Sequence, residues 1–325
     1  MKTILITGGG RGLGRATARQ LAVLGNRVIL TARDLDAGLR AAAEIQAAAP
    51  QAHVEARRLD LASLDDVRAF GERTAAEGFA LDVLFNCAGV LDAGPQRQTS
   101  RDGLELTLAV NALAPFLLTA TLMPALRRSP EARVVNVSSR LHLPGSRGRP
   151  VAFDFDDPQL ERGYHPQRAY KNSKLALLWF TYELQRRLGP GAITANAVCP
   201  GFVPATAAAS TRGALHWLMV HAIPHLSFAR SVDEAAESFT FMALDPQLRG
   251  VGGGFFGERQ PIESSAESRD EARARRFWEL AEALTRSGPW PRQAVEAAAL
   301  VRPPGQRQSS TSSRAGRGAS PVEPQ

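Results

Sequence analysis

The chain has 325 residues, of which 44% are hydrophobic, and this supplies a core for one large α/β domain. Its formal net charge is +7, but the arginines are scattered and no basic stripe is interleaved with aromatic residues. We therefore expect no nucleic-acid partner. The two cysteines, Cys87 and Cys199, lie within apolar runs, which argues against a disulfide framework and predicts a reducing, cytoplasmic location.

Apolar runs rich in β-branched residues alternate with segments of helical period from residue 3 to residue 199. In chain order we predict a strand at 3–7, a helix at 15–24, a strand at 27–31, a helix at 35–48, a strand at 53–59, a helix at 64–77, a strand at 81–86, a helix at 104–126, a strand at 133–138, a helix at 169–188 and a strand at 193–199. This alternation predicts right-handed crossovers and a doubly wound parallel sheet of the Rossmann type.

Three stretches depart from this pattern. Residues 140–168 are rich in proline, glycine and charge and indicate a loop inserted between a strand and a helix. Residues 201–230 include an apolar stretch without a clear period, and residues 287–325 form a low-complexity segment that we expect to be disordered. We therefore predict a single domain over residues 1–286, followed by a tail. The apolar run in the opening "MKTILITGGG" is too short for a signal peptide or membrane span, so no N-terminal anchor is expected.

A glycine-rich segment, "ILITGGGRGLGRATA", joins the first predicted strand to the first helix. Its glycines would let the backbone turn sharply and approach a pyrophosphate, which the free N–H groups at the start of the helix attract. The spacing from Gly8 through Gly12 to Gly14 is Gly-x-x-x-Gly-x-Gly, which differs from the general Gly-x-Gly-x-x-Gly fingerprint. The alternative is a glycine-rich turn without a ligand.

The end of the second predicted strand, "VILTARDLD", should reach the ribose of the adenosine. Arg33 comes before Asp34 there, and Arg11 lies in the glycine-rich segment, where its guanidinium could close on a 2′-phosphate. NADP(H) is therefore preferred over NAD(H). The alternative is that both arginines are solvated surface residues.

Tyr170 and Lys174 stand out because the chain has only three tyrosines and three lysines. On a helix, residues four apart share one face. A phenol is a weak base at neutral pH, and a neighbouring ammonium would lower its pKa. Tyr170 is therefore the candidate general acid/base, with Lys174 as the group that activates it.

Several short motifs occur in a fixed order: Thr7-Gly8-x-x-x-Gly12-x-Gly14, "NCAG" at 86–89, "VN" at 110–111, "VNVSS" at 135–139, Tyr170-x-x-x-Lys174 and "CPG" at 199–201. With these motifs, residues 1–285 resemble the classical short-chain dehydrogenase/reductase family. The insertion "FDFDD" and the closing "RRFWELAEAL" resemble its retinol dehydrogenase-like branch, which also contains relatives of light-dependent protochlorophyllide reductases. Members of that branch often carry an N-terminal anchor, which this chain, starting at its first strand, is not expected to have.

The resemblance implies a role for four catalytic residues. Tyr170 would exchange the proton, and Lys174 would also hold the nicotinamide ribose. Ser139, chosen over Ser138 by the motif, would bind the substrate oxygen, and Asn111 would support a water-linked proton relay behind the lysine. Ser139 and Tyr170 are 31 positions apart, so the inserted loop would have to bulge away and leave both side chains together.

The resemblance also implies a set of cofactor-binding positions. Asp60 would contact the adenine side, Pro200 and Gly201 would turn the chain toward the nicotinamide, and Val203 would meet the carboxamide. The threonine usual after this turn is displaced to Thr206, so its contact with the cofactor is not carried over. The complete predicted set is Thr7, Gly8, Arg11, Gly12, Leu13, Gly14, Arg33, Asp60, Asn86, Ala88, Gly89, Tyr170, Lys174, Pro200, Gly201 and Val203.

The apolar stretch at 214–228 would cover the nicotinamide end as a lid over an apolar alcohol or carbonyl. A core helix and a shallow membrane contact are the alternatives. Three histidines lie in this stretch without a carboxylate or cysteine beside them, so no metal site is expected. They are His216, His221 and His225.

The resulting hypothesis is an NADP(H)-dependent oxidoreductase that interconverts an apolar alcohol and its aldehyde or ketone. The alternatives are a reductase of an activated carbon–carbon double bond and a non-catalytic cofactor-binding scaffold protein. The resemblance further implies a homo-oligomer assembled through the helices predicted at 104–126 and 169–188. The apolar content of both helices suits such an interface, but burial against the sheet would explain it equally well.

Overall fold

A central sheet organises the chain. In the computed structural model, which describes residues 1–91, 94–144, 150–205, 217, 226, 229–288 and 290, eight strands form this sheet. They are β1 (Thr3–Thr7), β2 (Arg27–Ala32), β3 (His53–Arg58), β4 (Val83–Asn86), β5 (Ala132–Val137), β6 (Ile193–Cys199), β7 (Phe255–Gly257) and β8 (Gln260–Pro261). Their spatial order is β3-β2-β1-β4-β5-β6-β7-β8. All neighbours are parallel except β7 and β8, which are antiparallel.

The strand order reverses direction between β1 and β4, since β1 pairs with β2 on one side and with β4 on the other. Ligands of doubly wound sheets bind at such a switch point, outside the carboxyl ends of the strands. The predicted Rossmann-type fold is confirmed, and its switch point lies next to the glycine-rich segment.

Helices cover both faces of the sheet. They are α1 (Gly12–Val23), α2 (Leu35–Ala48), α3 (Leu64–Ala76), α4 (Leu106–Leu126), α5 (Pro166–Leu188), α6 (Val232–Leu244), α7 (Ala266–Arg269) and α8 (Glu271–Thr285). The side chain of Leu5 packs into one hydrophobic cluster with α3, α4, α5 and α8, whereas Ile4 and Ile6 pack into another with α1, α2 and α6. This is the alternation that a strand buried on both faces requires.

The predicted elements up to residue 199 are all present, with ends shifted by a few residues. Helix α5 begins at Pro166 rather than at residue 169 because His165 caps it, its Nδ1 accepting from the Gln167 N–H at 3.2 Å. Proline suits the first helical turn, where its missing N–H costs no hydrogen bond. Beyond residue 199, no prediction covered α6, α7, α8, β7 or β8.

Helix α4 contains a π-helical segment, Ala109–Leu113. The whole helix, Leu106–Leu126, is long and apolar enough to cross a membrane, yet 83% of its apolar window is buried inside the protein. Its composition is therefore explained by its place in the core.

The insertion at 140–168 is fixed to the body by aromatic contacts. The rings of Phe153 and Phe155 lie 5.3 Å and 5.6 Å from Trp179 of α5, measured between centroids, and Phe153 lies 6.2 Å from Phe277 of α8. The "FDFDD" sequence thus attaches the insertion to the catalytic helix. Residues 145–149, within the insertion, lie outside the described residues.

Helix α8 covers the apolar surface that α4 and α5 share. The Trp278 ring lies 4.9 Å from Phe116 of α4 and 6.0 Å from Phe180 of α5, and the Arg187 guanidinium lies 4.2 Å from the Trp278 ring. Trp290, beyond the predicted domain end at 286, also packs on Phe116, at 5.1 Å. The apolar content of α4 and α5 is therefore used within the chain and does not by itself indicate a subunit interface. Residues 291–325, most of the predicted tail, lie outside the described residues.

Candidate active site

Ser139 and Tyr170 approach each other at the carboxyl end of β5. Ser139 begins the 3₁₀ turn Arg140–His142, and its Oγ accepts from the Leu141 N–H at 3.2 Å. The Ser139 side chain is also near enough to the Tyr170 phenol to lower its pKa. The two side chains therefore interact although 31 positions separate them in the chain.

Ser138 points elsewhere. It is buried, and its Oγ donates to the backbone carbonyl of Lys174 at 3.2 Å. This bond ties the end of β5 to α5 but leaves the hydroxyl away from Tyr170. Of the two serines, Ser139 is the one whose side chain affects the pKa of Tyr170.

Lys174 is buried on the same helix as Tyr170. Its Nζ lies 5.6 Å from the centroid of the Tyr170 ring and donates to the Val137 carbonyl at 2.8 Å. Burial lowers the pKa of Lys174 to about 8, because an ammonium loses hydration in the protein interior.

The pKa of Tyr170 moves opposite to the expected direction. Burial raises it to about 12, the hydrogen bond with Ser139 lowers it less, and negative charge on Cys199 would raise it further. The expected lowering by Lys174 is therefore not what the structure shows. The phenol ring remains partly exposed, but dense packing disfavours the phenolate. At neutral pH Tyr170 holds its proton and can donate it.

Asn111 lies in the π-helical segment of α4 and clamps the loop that follows β4. Its Oδ1 accepts from the Val90 N–H at 2.7 Å, and its Nδ2 donates to the Val90 carbonyl at 2.8 Å and to Ser173 Oγ at 3.0 Å. A Cβ at Gly89 would lie 3.2 Å from Asn111 Oδ1 and 3.6 Å from Lys174 Nζ. Asn111 therefore fixes this loop beside Lys174. π-Helical turns of this kind are frequent at functional sites.

The glycine-rich segment forms a cradle in which side chains would collide. A Cβ on Gly14 would strike the Gly8 carbonyl oxygen and lie 2.9 Å from its carbon, and a Cβ on Gly8 would lie 3.0 Å from Cα of Ala88. Gly12 has a φ of +55° at the start of α1 with open space around it, and Leu13 is buried beneath. No side chain caps the first turn of α1. The cradle and the uncapped N–H groups fit the pyrophosphate of a dinucleotide.

Thr7 supports this cradle from below. Its buried hydroxyl donates to the Phe85 carbonyl at 3.3 Å and accepts from the N–H groups of Cys87 and Ala88 at 3.0 Å and 3.1 Å. The structure thus places Thr7 between β1 and β4, where it shapes the loop. Burial raises the pKa of the Cys87 thiol to about 12, although Lys174 lowers it.

A buried polar chain holds the middle strands together. Asn86 Nδ2 donates to Asn136 Oδ1 at 2.8 Å, and Asn136 Nδ2 donates to Thr181 Oγ1 of α5 at 2.9 Å. The sequence prediction included Asn86 but missed Asn136 and Thr181. The register pairs Asn86 with Asn136 directly across β4 and β5, a relation that only the sheet order reveals.

Two arginines flank the carboxyl end of β2 and the glycine-rich segment, as their positions in the sequence require. Arg11 and Arg33 are exposed, and neither forms an ion pair or side-chain hydrogen bond with the residues that the structure describes. Asp34 caps α2, its carboxylate accepting from the N–H groups of Asp36 and Ala37. The carboxylate of Asp60 accepts from Ala62 and pairs with an arginine, Arg101, at 3.4 Å. The acidic groups are thus engaged, whereas the arginines are available.

The turn after β6 carries the remaining predicted positions. Pro200 precedes Gly201, whose φ is +79° and whose Cβ position lies 3.0 Å from Arg230 Cδ, and Val203 is buried. Phe202 forms a bridge with Ala229. Thr206, His216, His221, His225 and most of the predicted lid lie outside the described residues. Among those described, no group of His, Cys, Asp and Glu could hold a metal ion.

His142 is a buried residue of this region that the sequence prediction missed. Its Nδ1 bonds to the Ser139 carbonyl, and its Nε2 accepts from the Ser265 N–H at 3.2 Å. The histidine follows "VNVSSR" in the sequence, so its nearness to Ser139 was visible, but its distant partner was not.

Comparison with known proteins agrees with the geometry. A family model described as short chain dehydrogenase matches residues 2–151. The chain belongs to the short-chain dehydrogenase/reductase family, and it is an enzyme of the retinol dehydrogenase-like kind. It is 36% identical to retinol dehydrogenase 13 of Homo sapiens over 85% of this chain and 82% of that protein. It is 38% identical to retinol dehydrogenase 12 of Mus musculus over 86% and 84%.

Two solved structures show the same fold. A putative uncharacterized protein from Mycobacterium paratuberculosis, 33% identical, superimposes with a TM-score of 0.68 over 90% of this chain and 95% of that one. A metagenomic short-chain oxidoreductase in complex with NADP, 26% identical, gives a TM-score of 0.55 over 77% and 94%.

Proposed function

We propose that the chain is an NADP(H)-dependent oxidoreductase that interconverts an apolar alcohol and its aldehyde or ketone. The observation that carries this proposal is the meeting of the Ser139 hydroxyl and the Tyr170 phenol beside buried Lys174. Gly89 lies next to both Asn111 and Lys174, and Ala88 lies next to Gly8. The adjacent residues Ala88 and Gly89 thus link the glycine cradle to Lys174, which supports a cofactor bound between them.

The bound nicotinamide supplies or accepts the hydride. In reduction, Ser139 binds the carbonyl oxygen and Tyr170 gives its proton to that oxygen as the carbonyl carbon receives the hydride. A phenol with a pKa of about 12 keeps this proton at neutral pH and is suited to the role of general acid. Oxidation would require the reverse transfer to a phenolate, which burial disfavours.

An apolar substrate suits the side chains around the cleft. Leu141, within the turn that Ser139 begins, is 48% exposed, and Phe202, which follows Gly201, is 37% exposed. Trp217 in the predicted lid is 61% exposed. Exposed apolar side chains adjacent in the chain to the predicted site residues suit an apolar ligand. The names of the relatives as retinol dehydrogenases support the same substrate class.

The preference for NADP(H) rests on the available arginines. A 2′-phosphate would find Arg11 and Arg33 exposed, whereas the carboxylate of Asp34 is occupied in capping α2. Both capping bonds go to Oδ1 of Asp34, so Oδ2 could still accept from a ribose 2′-hydroxyl. NAD(H) is the alternative cofactor, so the test below compares NADPH with NADH.

Location and assembly follow as smaller proposals. We propose a cytoplasmic location, which the free thiols of Cys87 and Cys199 support. If the chain forms the homo-oligomer that the family resemblance implies, contact through α4 and α5 must leave α8 in place.

A spectrophotometric screen tests the proposed function. The purified full chain would be mixed with NADPH or NADH and with retinal, a steroid ketone, a quinone, an aliphatic aldehyde and protochlorophyllide. We expect NADPH-dependent reduction of at least one apolar carbonyl, with a lower KM for NADPH than for NADH. Reduction of protochlorophyllide alone would favour the double-bond reductase, and cofactor binding without turnover of any compound would favour the scaffold protein.

A further inference from the structure

His142 occupies a closed site behind the catalytic serine. Its side chain has no exposed surface, and its ring meets Phe255 edge to face, 5.1 Å between centroids. The backbone N–H of Ser265 can only donate, so Nε2 must be the acceptor of that bond. The proton of the neutral ring is then on Nδ1, which donates to the carbonyl of Ser139. Burial lowers the pKa of His142 and favours this neutral form.

The partner of His142 belongs to a segment that is itself fixed to the catalytic helix. Ser265 caps α7, and the Trp179 indole of α5 donates to the Glu267 carbonyl at 2.7 Å. On the adjacent residue, Ser264, Oγ accepts from the Tyr182 hydroxyl of α5 at 2.8 Å. A path of hydrogen bonds therefore runs from the Ser139 turn through His142 and Ser265 to α5.

This path of hydrogen bonds can align two hydroxyls that are far apart in the chain. Ser139 and Tyr170 are 31 positions apart in the chain, and the insertion between them cannot align them by its covalent connection alone. The Ser139 turn is a single 3₁₀ turn of three residues. Its closing residue, His142, is the one that carries a long-range contact, 123 positions away at Ser265.

We propose that His142 is a positioning residue that holds the Ser139 hydroxyl in line with Tyr170 by coupling the Ser139 turn to the Ser265 segment. This inference rests on the proposed function, because it acts through Ser139. It assigns His142 no contact with substrate or cofactor.

Three substitutions separate this role from a merely structural one. In His142→Asn, the side-chain amide N–H can replace the donor at Nδ1, so this variant keeps the bond to Ser139. The longer amide of His142→Gln can replace the acceptor at Nε2 and keeps the bond to Ser265. His142→Phe keeps the ring and its Phe255 contact but loses both bonds. Thr285→Val, which removes the buried bond from Thr285 Oγ1 to the Ala281 carbonyl of α8, is the matched control for loss of a buried hydrogen bond outside this path.

The measurements are kcat and KM for an apolar carbonyl, the Kd of NADPH and the melting temperature. We expect kcat to fall roughly 10- to 100-fold in His142→Phe, because small misplacements of a reacting group cost this much. The Kd of NADPH should stay within about twofold, and His142→Asn should recover kcat to within about threefold of the parent, unlike His142→Gln. Thr285→Val should lower the melting temperature but leave kcat within about twofold.

A double variant tests the route through Ser139. If His142 acts through the serine hydroxyl, adding His142→Phe to Ser139→Ala should lower kcat by less than about twofold more. The proposal would be overturned if the kcat loss of the double variant equalled the product of the two single losses. It would also be overturned if His142→Asn and His142→Gln lost equal kcat, in proportion to the fall in their melting temperatures.

A measurement independent of turnover separates failure of this proposal from failure of the proposed function. In NMR spectra of a ¹⁵N-histidine-labelled sample, the His142 signals are assigned as those absent from His142→Phe. They should be those of a neutral ring protonated at Nδ1, whose proton exchanges slowly with solvent. A ring protonated at Nε2 would overturn the positioning role even in an active enzyme. A chain that shows the Nδ1 tautomer but reduces no carbonyl would instead refute the proposed function and, with it, the positioning role of His142.

Discussion

Replacing Gly14 by alanine should abolish tight cofactor binding while leaving a folded protein. The added Cβ would strike the Gly8 carbonyl oxygen and lie 2.9 Å from the Gly8 carbonyl carbon, so α1 or the loop must shift by roughly half an ångström to one ångström. Gly8 has no room to retreat, since it already lies against Ala88. Overpacking of this kind costs about 1–3 kcal/mol in stability.

The effect on binding should be larger than the effect on stability. Backbone N–H groups bind an anion only near about 2.9 Å, and each such bond to a charged group contributes about 1.5–3 kcal/mol. Loss of two of them would raise the Kd of NADPH by roughly 10²- to 10⁴-fold, since about 1.4 kcal/mol is tenfold.

Fluorescence titration of NADPH and thermal melting test this prediction. Gly71→Ala is the matched control, because its Cβ would strike the Thr121 side chain between α3 and α4, remote from the cradle. It should lower the melting temperature but leave the Kd of NADPH within about twofold. Wild-type affinity in Gly14→Ala would refute the assignment of the cradle to the cofactor.

Three further predictions follow from single sites. Replacing Arg33 by alanine should raise the Kd of NADPH about tenfold and leave the Kd of NADH unchanged. The control Arg15→Ala, which removes an exposed ion pair with Glu44, should change neither Kd. Equal effects of Arg33→Ala on both cofactors would contradict the 2′-phosphate role. The unfolded chain holds the Lys174 proton up to about pH 10.5, whereas the folded protein releases it near pH 8. Between these pH values the free energy of unfolding of the parent should therefore rise by up to about 3 kcal/mol relative to that of Lys174→Met. If chemical denaturation shows the same difference between the two proteins at every pH, the lowered pKa is contradicted. Trp278→Ala should lower the free energy of unfolding, measured by urea denaturation, by about 3–5 kcal/mol, because α8 would lose its packing on α4 and α5. The control Trp217→Ala, at an exposed position, should lower it by less than about 0.5 kcal/mol. Equal losses would show that α8 does not stabilise this surface.

The fold up to residue 199 could be predicted because its signals are local. Each strand from β1 to β6 except β3 contains an apolar run, and the helices between them show their period within their own sequence. Strands β7 and β8 could not be predicted, because they have only three and two residues and lie in a glycine-rich stretch without a period. β7 pairs with β6 and β8 pairs with β7, so each of these short strands depends on a neighbouring strand that its own sequence does not reveal.

The candidate site shows the same division. Tyr170, Lys174 and the glycines are found by spacing within one helix or loop, and the structure places Tyr170 and Lys174 on α5 with Ser139 near the phenol. The supporting contacts are long-range: Asn136 faces Asn86 across two strands, and His142 meets Ser265 at the far end of the chain. The direction of the Tyr170 pKa was also missed, since a motif shows the neighbouring lysine but not how deeply both groups are buried.

The central claim is that the Tyr170 hydroxyl delivers the proton in carbonyl reduction. It is tested most directly by kcat of Tyr170→Phe with NADPH and a carbonyl substrate of the parent enzyme, alongside the Kd of NADPH for the same variant. We predict a loss of about 10²- to 10⁴-fold in kcat with the Kd of NADPH changed less than about threefold. A variant that turns over at the rate of the parent would contradict the account.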